Sequence, residues 1–174
     1  MNTSASPQAS TAAPSGLAWS DELLTGDART DHTHQEFVDL VNATSAAAPA
    51  DKLIVYQQLV AHTVEHFGQE ERWMLACGIA PDYCHFSQHK NVLDVMKEVE
   101  RRALAGETEY IGSMIEALVE WFPGHANSMD AGLVAFLQEK GYDTSEEAFH
   151  AGPPKGSDEA TLACTHHAPG ESCA

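Results

Sequence analysis

Four stretches of the chain repeat apolar residues at the roughly 3.6-residue period of an α-helix, and each puts at least one histidine on the stripe where a soluble bundle carries leucine or valine. The first runs from about Asp31, its candidate cap, to Ala46, with His34, Phe37, Val38 and Val41 on one face. The second begins after Asp51, also a candidate cap, and carries Tyr56, Thr63, His66, Phe67, Glu70 and Trp73 until Gly78 stops it. The third follows Pro81 with His85, His89, Val92 and Met96 and ends at Gly106; the fourth spans about Thr108–Lys140 through Ile111, Leu118, Phe122, His125 and Leu133 to Gly141. No period-2 run competes with these patterns. Short connections between amphipathic helices predict an all-α, up-down-up-down antiparallel four-helix bundle. Pro123, inside the fourth helix, removes a hydrogen bond to Val119 and predicts a kink or bulge just before His125.

Buried imidazoles and carboxylates need partners, and metal ligation is the economical one when they recur on every helix. For any single histidine a hydrogen-bonded core imidazole is the ordinary reading; seven polar residues at the right phase are not explained that way. Positions i and i+4 lie about 40° apart around a helix, so His66 and Glu70 in HFGQE, and His85 and His89 in HFSQH, can reach one small volume. Asp130 follows His125 by five residues, about 140° on an ideal helix, and joins only from the stripe's edge or through a distorted turn. His34, His66, His85, His89, His125, Glu70 and Asp130 exceed what one tetrahedral zinc takes, so two metals bridged by the carboxylates fit the count. Mixed nitrogen and oxygen ligation favours iron, with manganese, cobalt or zinc as substitutes in vitro. The paired Glu-x-x-His motifs of a ferritin-type site are missing; Glu147 to His150 is the single instance and lies in the tail.

Composition narrows the partners. Of 174 residues, 26 are acidic and 9 basic, a net charge of −17 that repels phosphate backbones and anionic membrane surfaces. No stretch reaches the roughly 20 apolar residues of a membrane span. Residues 1–16, rich in Ser, Thr, Ala and Pro, are expected to be disordered, the folded domain to occupy 17–141, and 142–174 to be a flexible extension, within which Ser145–His150 has room for an isolated helical turn. The start of the chain lacks a basic, then apolar, secretory pattern, so a cytoplasmic location is expected, with the four cysteines reduced unless one pair has a redox role. Cys77 and Cys84 flank one turn and raise a pairing that a cytosolic setting disfavours, and the tract from Cys164 to Cys173 raises a soft-metal site through Cys164, His166, His167 and Cys173.

The series His34, HxxxE at 66–70, HxxxH at 85–89 and HxxxxD at 125–130, with the lead-in WSDELLTGDARTDHTH, resembles the hemerythrin family over about Trp19 to Lys140. The resemblance implies a non-haem pair of irons joined by an oxo or hydroxo group and by Glu70 and Asp130, with His85, His89 and His125 on one iron and His34 and His66 on the other, whose open position takes dioxygen. It implies reversible chemistry, in which O2 takes two electrons and the bridging proton to become a bound hydroperoxide. Where the family reads W-L-x-x-H this chain reads WFPGH, so Phe122 stands in place of the leucine of the ligand pocket, beside Trp121; Trp73, Met74, Trp121 and Met129 read as core and pocket packing.

Three function classes follow. The first is an oxygen-binding module that stores, delivers or buffers O2, acting as a monomer with an oxygen-using enzyme or a reductase as partner. The second is a peroxide- or nitric-oxide-consuming enzyme, for which His62, otherwise a partly exposed neighbour of the ligands, is the first candidate proton donor. In the third, a sensor or iron-handling protein acts through its tail.

Overall fold

The computed structural model describes residues 16–150; the expectations for residues 1–15 and for the Cys164–Cys173 tract lie outside the described residues. A short 3-10 turn, Asp21–Leu23, leads into α1 (Ala28–Ala46), followed by α2 (Lys52–Ala76), α3 (Cys84–Leu104), α4 (Tyr110–His125), a π-helical segment (Ala126–Asp130) and α5 (Ala131–Lys140). Each of the first three helices packs on the next, and α4 returns to α1, closing a ring around the core. Among the described residues no helix is long and apolar enough to cross a membrane.

Local chemistry sets the boundaries. Asp27, not Asp31, caps α1: its carboxylate accepts from the Thr30 amide at 2.9 Å and the Thr30 hydroxyl at 3.0 Å. Asp31 sits one turn inside and instead accepts from the amide and hydroxyl of Thr25, tying down the incoming loop. Asp51 precedes α2 but makes no side-chain cap bond. Gly78, at φ +84°, closes α2 in a Schellman turn, with Gly78 N–H on Leu75 O and Ile79 N–H on Met74 O, while buried Ile79 and Met74 supply the accompanying apolar contact.

The fourth predicted helix is not one continuous α-helix. Distortion begins just after His125, where the expectation put it just before: the Ala131 N–H reaches back five residues to Ala126 O, and the Ser128 hydroxyl donates to Gly124 O at 2.6 Å. The extra residue is absorbed where Pro123 has already weakened the ladder of backbone bonds.

Regular secondary structure also follows Gly141. Tyr142–Asp143 pairs antiparallel with Ala148–Phe149, in place of the helical turn the sequence had room for, because the Asp143 carboxylate accepts from the Ser145 and Glu146 amides and reverses the chain. Tyr142 is buried, edge-on to Phe149, and Arg29 donates to Thr144 O and to Glu147 at 3.0 Å. The Thr144 hydroxyl closes the latch on Asp27 at 2.6 Å.

Two apolar clusters fill the interior. One gathers Val41, Tyr56, Leu59, Met96, Ile111 and Phe122; the other gathers Trp73, Met74, Leu133, Leu137 and Tyr142. Along both α2 and the α4–α5 rod, the polar layer of His66, Glu70, His125 and Asp130 falls in sequence between the two. In the first cluster the Tyr56 hydroxyl donates to Met96 O at 2.9 Å, and burial raises its pKa. Tyr56→Phe is expected to lower stability by about 1 kcal/mol, the net worth of one such bond, with an unchanged fold by circular dichroism and a lower denaturation midpoint.

Candidate metal centre

The seven residues singled out in the sequence converge, and all are buried at 3% exposure or less. They form two overlapping groups whose candidate donor atoms lie within 4.8 Å of one another: Glu70, His85, His89, His125 and Asp130 in one, and His34, His66, Glu70 and Asp130 in the other. The carboxylates belong to both, with their oxygens divided. Glu70 Oε1 faces His66 Nε2 at 3.2 Å, while Oε2 faces His89 at 3.3 Å and His85 at 3.4 Å. Asp130 Oδ2 faces His34 at 3.1 Å, while Oδ1 faces His85 at 3.1 Å and His125 at 3.2 Å. The π-helical turn accomplishes the last contact, bringing two residues five apart onto one side.

Close as these atoms are, Glu70 Oε2, both Asp130 oxygens, His34 Nε2 and His85 Nε2 make no aligned hydrogen bond with any described residue. Their lone pairs converge on the space between them. Burial would raise the pKa of both carboxyls, but the surrounding imidazoles outweigh it and hold both well below the usual carboxylate range. Burial likewise lowers the His85 pKa, yet Asp130 and Glu70 push it up to about 9, so a cation entering there displaces a proton. His125, where burial dominates, is lowered. A buried cluster of anionic oxygens and imidazole nitrogens on divided sides is a donor set for mixed-ligand transition metals.

The surroundings orient these side chains. Gln88 Oε1 accepts from His125 Nδ1 at 3.0 Å, selecting the tautomer that leaves Nε2 for the centre. Trp121 stacks on His125 at 4.2 Å and Phe67 on His89 at 3.9 Å. Phe122 stands edge-on to His34 at 5.1 Å and stacks on Phe37 at 4.6 Å, walling the side with two histidines. Gln88 and Phe67 lie inside the HFSQH and HFGQE motifs, but Gln88 drew no assignment from the sequence and Phe67 only a place on the apolar stripe, because spacing marks which residues share a face and not which neighbours lean on a ring. His62 is partly buried, its Nε2 3.4 Å from Glu36, in keeping with a neighbour of the ligands. At the turn between α2 and α3, Cys77 is a free buried thiol, so it does not pair with Cys84.

A ring of helices around a buried layer of five histidines and two carboxylates defines a helical protein with a core able to hold metal. Comparison with known proteins narrows the class. The hemerythrin HHE cation-binding domain matches residues 25–137, and the chain belongs to the hemerythrin family. A bacteriohemerythrin from Ralstonia nicotianae is 39% identical over 132 residues, covering 76% of this chain and 96% of the relative. A bacteriohemerythrin from Pseudomonas aeruginosa is 30% identical over 123 residues, covering 68% and 79%.

Proposed function

We propose that this chain binds dioxygen reversibly at a pair of iron ions in an up-down-up-down bundle, as a cytoplasmic monomer that stores, delivers or buffers O2 for an oxygen-using enzyme and is re-reduced by a reductase. The observation that carries the reading is the unequal division of donors: three histidines serve one side, two serve the other, and each carboxylate gives one oxygen to each. His85, His89 and His125 would hold one iron, and His34 and His66 the second, which is left short of donors on the side of Phe122. When bound, a ferrous pair joined by an oxo or hydroxo group supplies the two electrons that dioxygen takes up.

The chain's own residues do the rest. Glu70 and Asp130 fix the two subsites relative to each other and neutralise positive charge in a site buried from bulk solvent. Phe122 and Phe37 present ring carbons to the side with two histidines, excluding water and withholding any proton donor from a bound ligand there. Trp121 and Gln88 hold the His125 ring from opposite demands, stacking and hydrogen bonding.

The test is the ultraviolet–visible spectrum of iron-loaded protein reduced without air, exposed to air, then deoxygenated. Bands that appear with air and vanish on deoxygenation support the reading; direct passage to a stable oxidised spectrum overturns it in favour of redox turnover. Replacing the wall is the finer probe. Phe122→Leu is expected to open the pocket to water and raise the rate of irreversible oxidation about tenfold, a barrier change of about 1.4 kcal/mol; an unchanged rate would show that the ring does not guard the ligand.

A further inference from the structure

The seven ligands are sealed from solvent, so a metal ion needs a way in. One line of metal-binding side chains connects them to the surface. On α1, Glu36 is half exposed, and its two oxygens are split between histidines: Oε1 lies 3.4 Å from His32 Nε2, and Oε2 lies 3.4 Å from His62 Nε2 across the helix interface. His32 is largely exposed and His62 only 16% exposed, so the pair grades from water to interior. The inner nitrogen of His62, Nδ1, is buried and has no hydrogen-bond partner among the described residues. The His62 ring lies edge-on to His66, 6.2 Å between centroids, and His66 Nε2 is 3.2 Å from Glu70. The apolar wall of Phe37 runs beside the same path, 6.5 Å from the His62 ring.

This arrangement repeats the chemistry of the interior at its edge: a carboxylate bracketed by imidazoles, the borderline donors that suit ferrous iron, cobalt and zinc. Helical phase produces it. His32 and Glu36 are four apart on α1, His62, His66 and Glu70 are four apart on α2, and the two rows meet where the helices pack. Resting on the reading of the buried cluster as a metal centre, we propose that His32, Glu36 and His62 form a loading route, capturing a divalent transition-metal ion at the surface and passing it to His66 and Glu70. His62 is the step between, with one nitrogen toward Glu36 and the other inside. The ion keeps its charge and ligand type throughout, so no redox partner is needed.

The experiment follows cobalt(II) uptake by the metal-free full-length chain in stopped flow, reading the visible absorption of the bound ion, with the final stoichiometry measured separately by elemental analysis. Glu36→Gln and His62→Leu are expected to slow uptake about tenfold, the lower end of what loss of an outer-shell partner costs a metal site, with the end point preserved. Asp39→Asn removes the same unit of charge from the exposed face of α1 without touching a histidine and should leave the rate unchanged. A Glu36→Gln rate within twofold of the native one would overturn the route, as would equal slowing by Asp39→Asn, which would assign the effect to net charge. A native chain that takes up no cobalt at all would overturn the buried centre itself; that failure appears in the end point and not in the rate.

Discussion

Asp130→Asn is expected to empty both metal subsites, because one side chain serves each. Its Oδ1 lies 3.1 to 3.2 Å from His85 and His125, and its Oδ2 lies 3.1 Å from His34, so on the proposed reading the substitution would withdraw an anionic donor from both subsites at once while keeping nearly the same volume. Loss of an outer-shell partner costs a metal site about 10- to 100-fold in affinity, and loss of a shared inner ligand should exceed the top of that range. Iron content after gel filtration checks this directly. The metal-free chain should suffer as well: removing one partner of a buried charged group costs about 3–5 kcal/mol, and three imidazoles lose their counter-charge here.

The pH dependence separates that electrostatic loss from a packing defect. Asp130 is held well below its ordinary value of 3.8 when folded, since His125, His34 and His85 outweigh the effect of burial. A group with a depressed folded pKa binds more protons unfolded than folded, so its contribution is full above the unfolded value and is lost as pH falls through the folded one. Urea denaturation of metal-free native and Asp130→Asn proteins should therefore differ most near neutrality, with the gap starting to close only below about pH 4 and vanishing as pH falls through the depressed folded value. A gap independent of pH would mean that packing, not charge, is what the substitution disturbs.

How Asp130 reaches the site also marks where sequence reasoning stops. The pairs His66/Glu70 and His85/His89 can be placed from spacing, because four residues nearly complete a turn of any regular helix. His125 and Asp130 cannot, since five residues point apart until a π-helical turn closes them, and that turn depends on tertiary demand joined to the weak backbone at Pro123 and Gly124. The start of α1 was misplaced for a related reason. Two aspartates four apart, Asp27 and Asp31, both suit an N-cap, and the choice falls to Asp27 because its second oxygen is claimed by Thr144, more than a hundred residues away. The hairpin after Gly141 was invisible because its stability comes from elsewhere: Tyr142 covers the second cluster and Arg29 grips Thr144 and Glu147, contacts absent from any local window.

That second cluster carries the other large effect, at Trp73. It heads the fully buried side chains by volume, with no exposed surface, packs in the cluster with Leu133, Leu137 and Tyr142, and lies beneath the Arg29 guanidinium at 5.5 Å from the ring centroid. Trp73→Ala is expected to cost about 3–5 kcal/mol through lost burial and the cavity left behind. Against a typical total of about 5–15 kcal/mol this removes a large part of the stability, and the denaturation midpoint should fall accordingly. The indole N–H, however, has no hydrogen-bond partner among the described residues. Trp73→Phe therefore discards a buried donor whose desolvation costs about 1–3 kcal/mol, and that gain should offset much of the lost ring volume. The two substitutions should differ by several kcal/mol in urea, with Trp73→Phe close to native and still able to retain iron. If Trp73→Phe instead proves as unstable as Trp73→Ala, the indole N–H is bonded in solution, and the layer below the metal ligands is held by a polar contact as well as by packing.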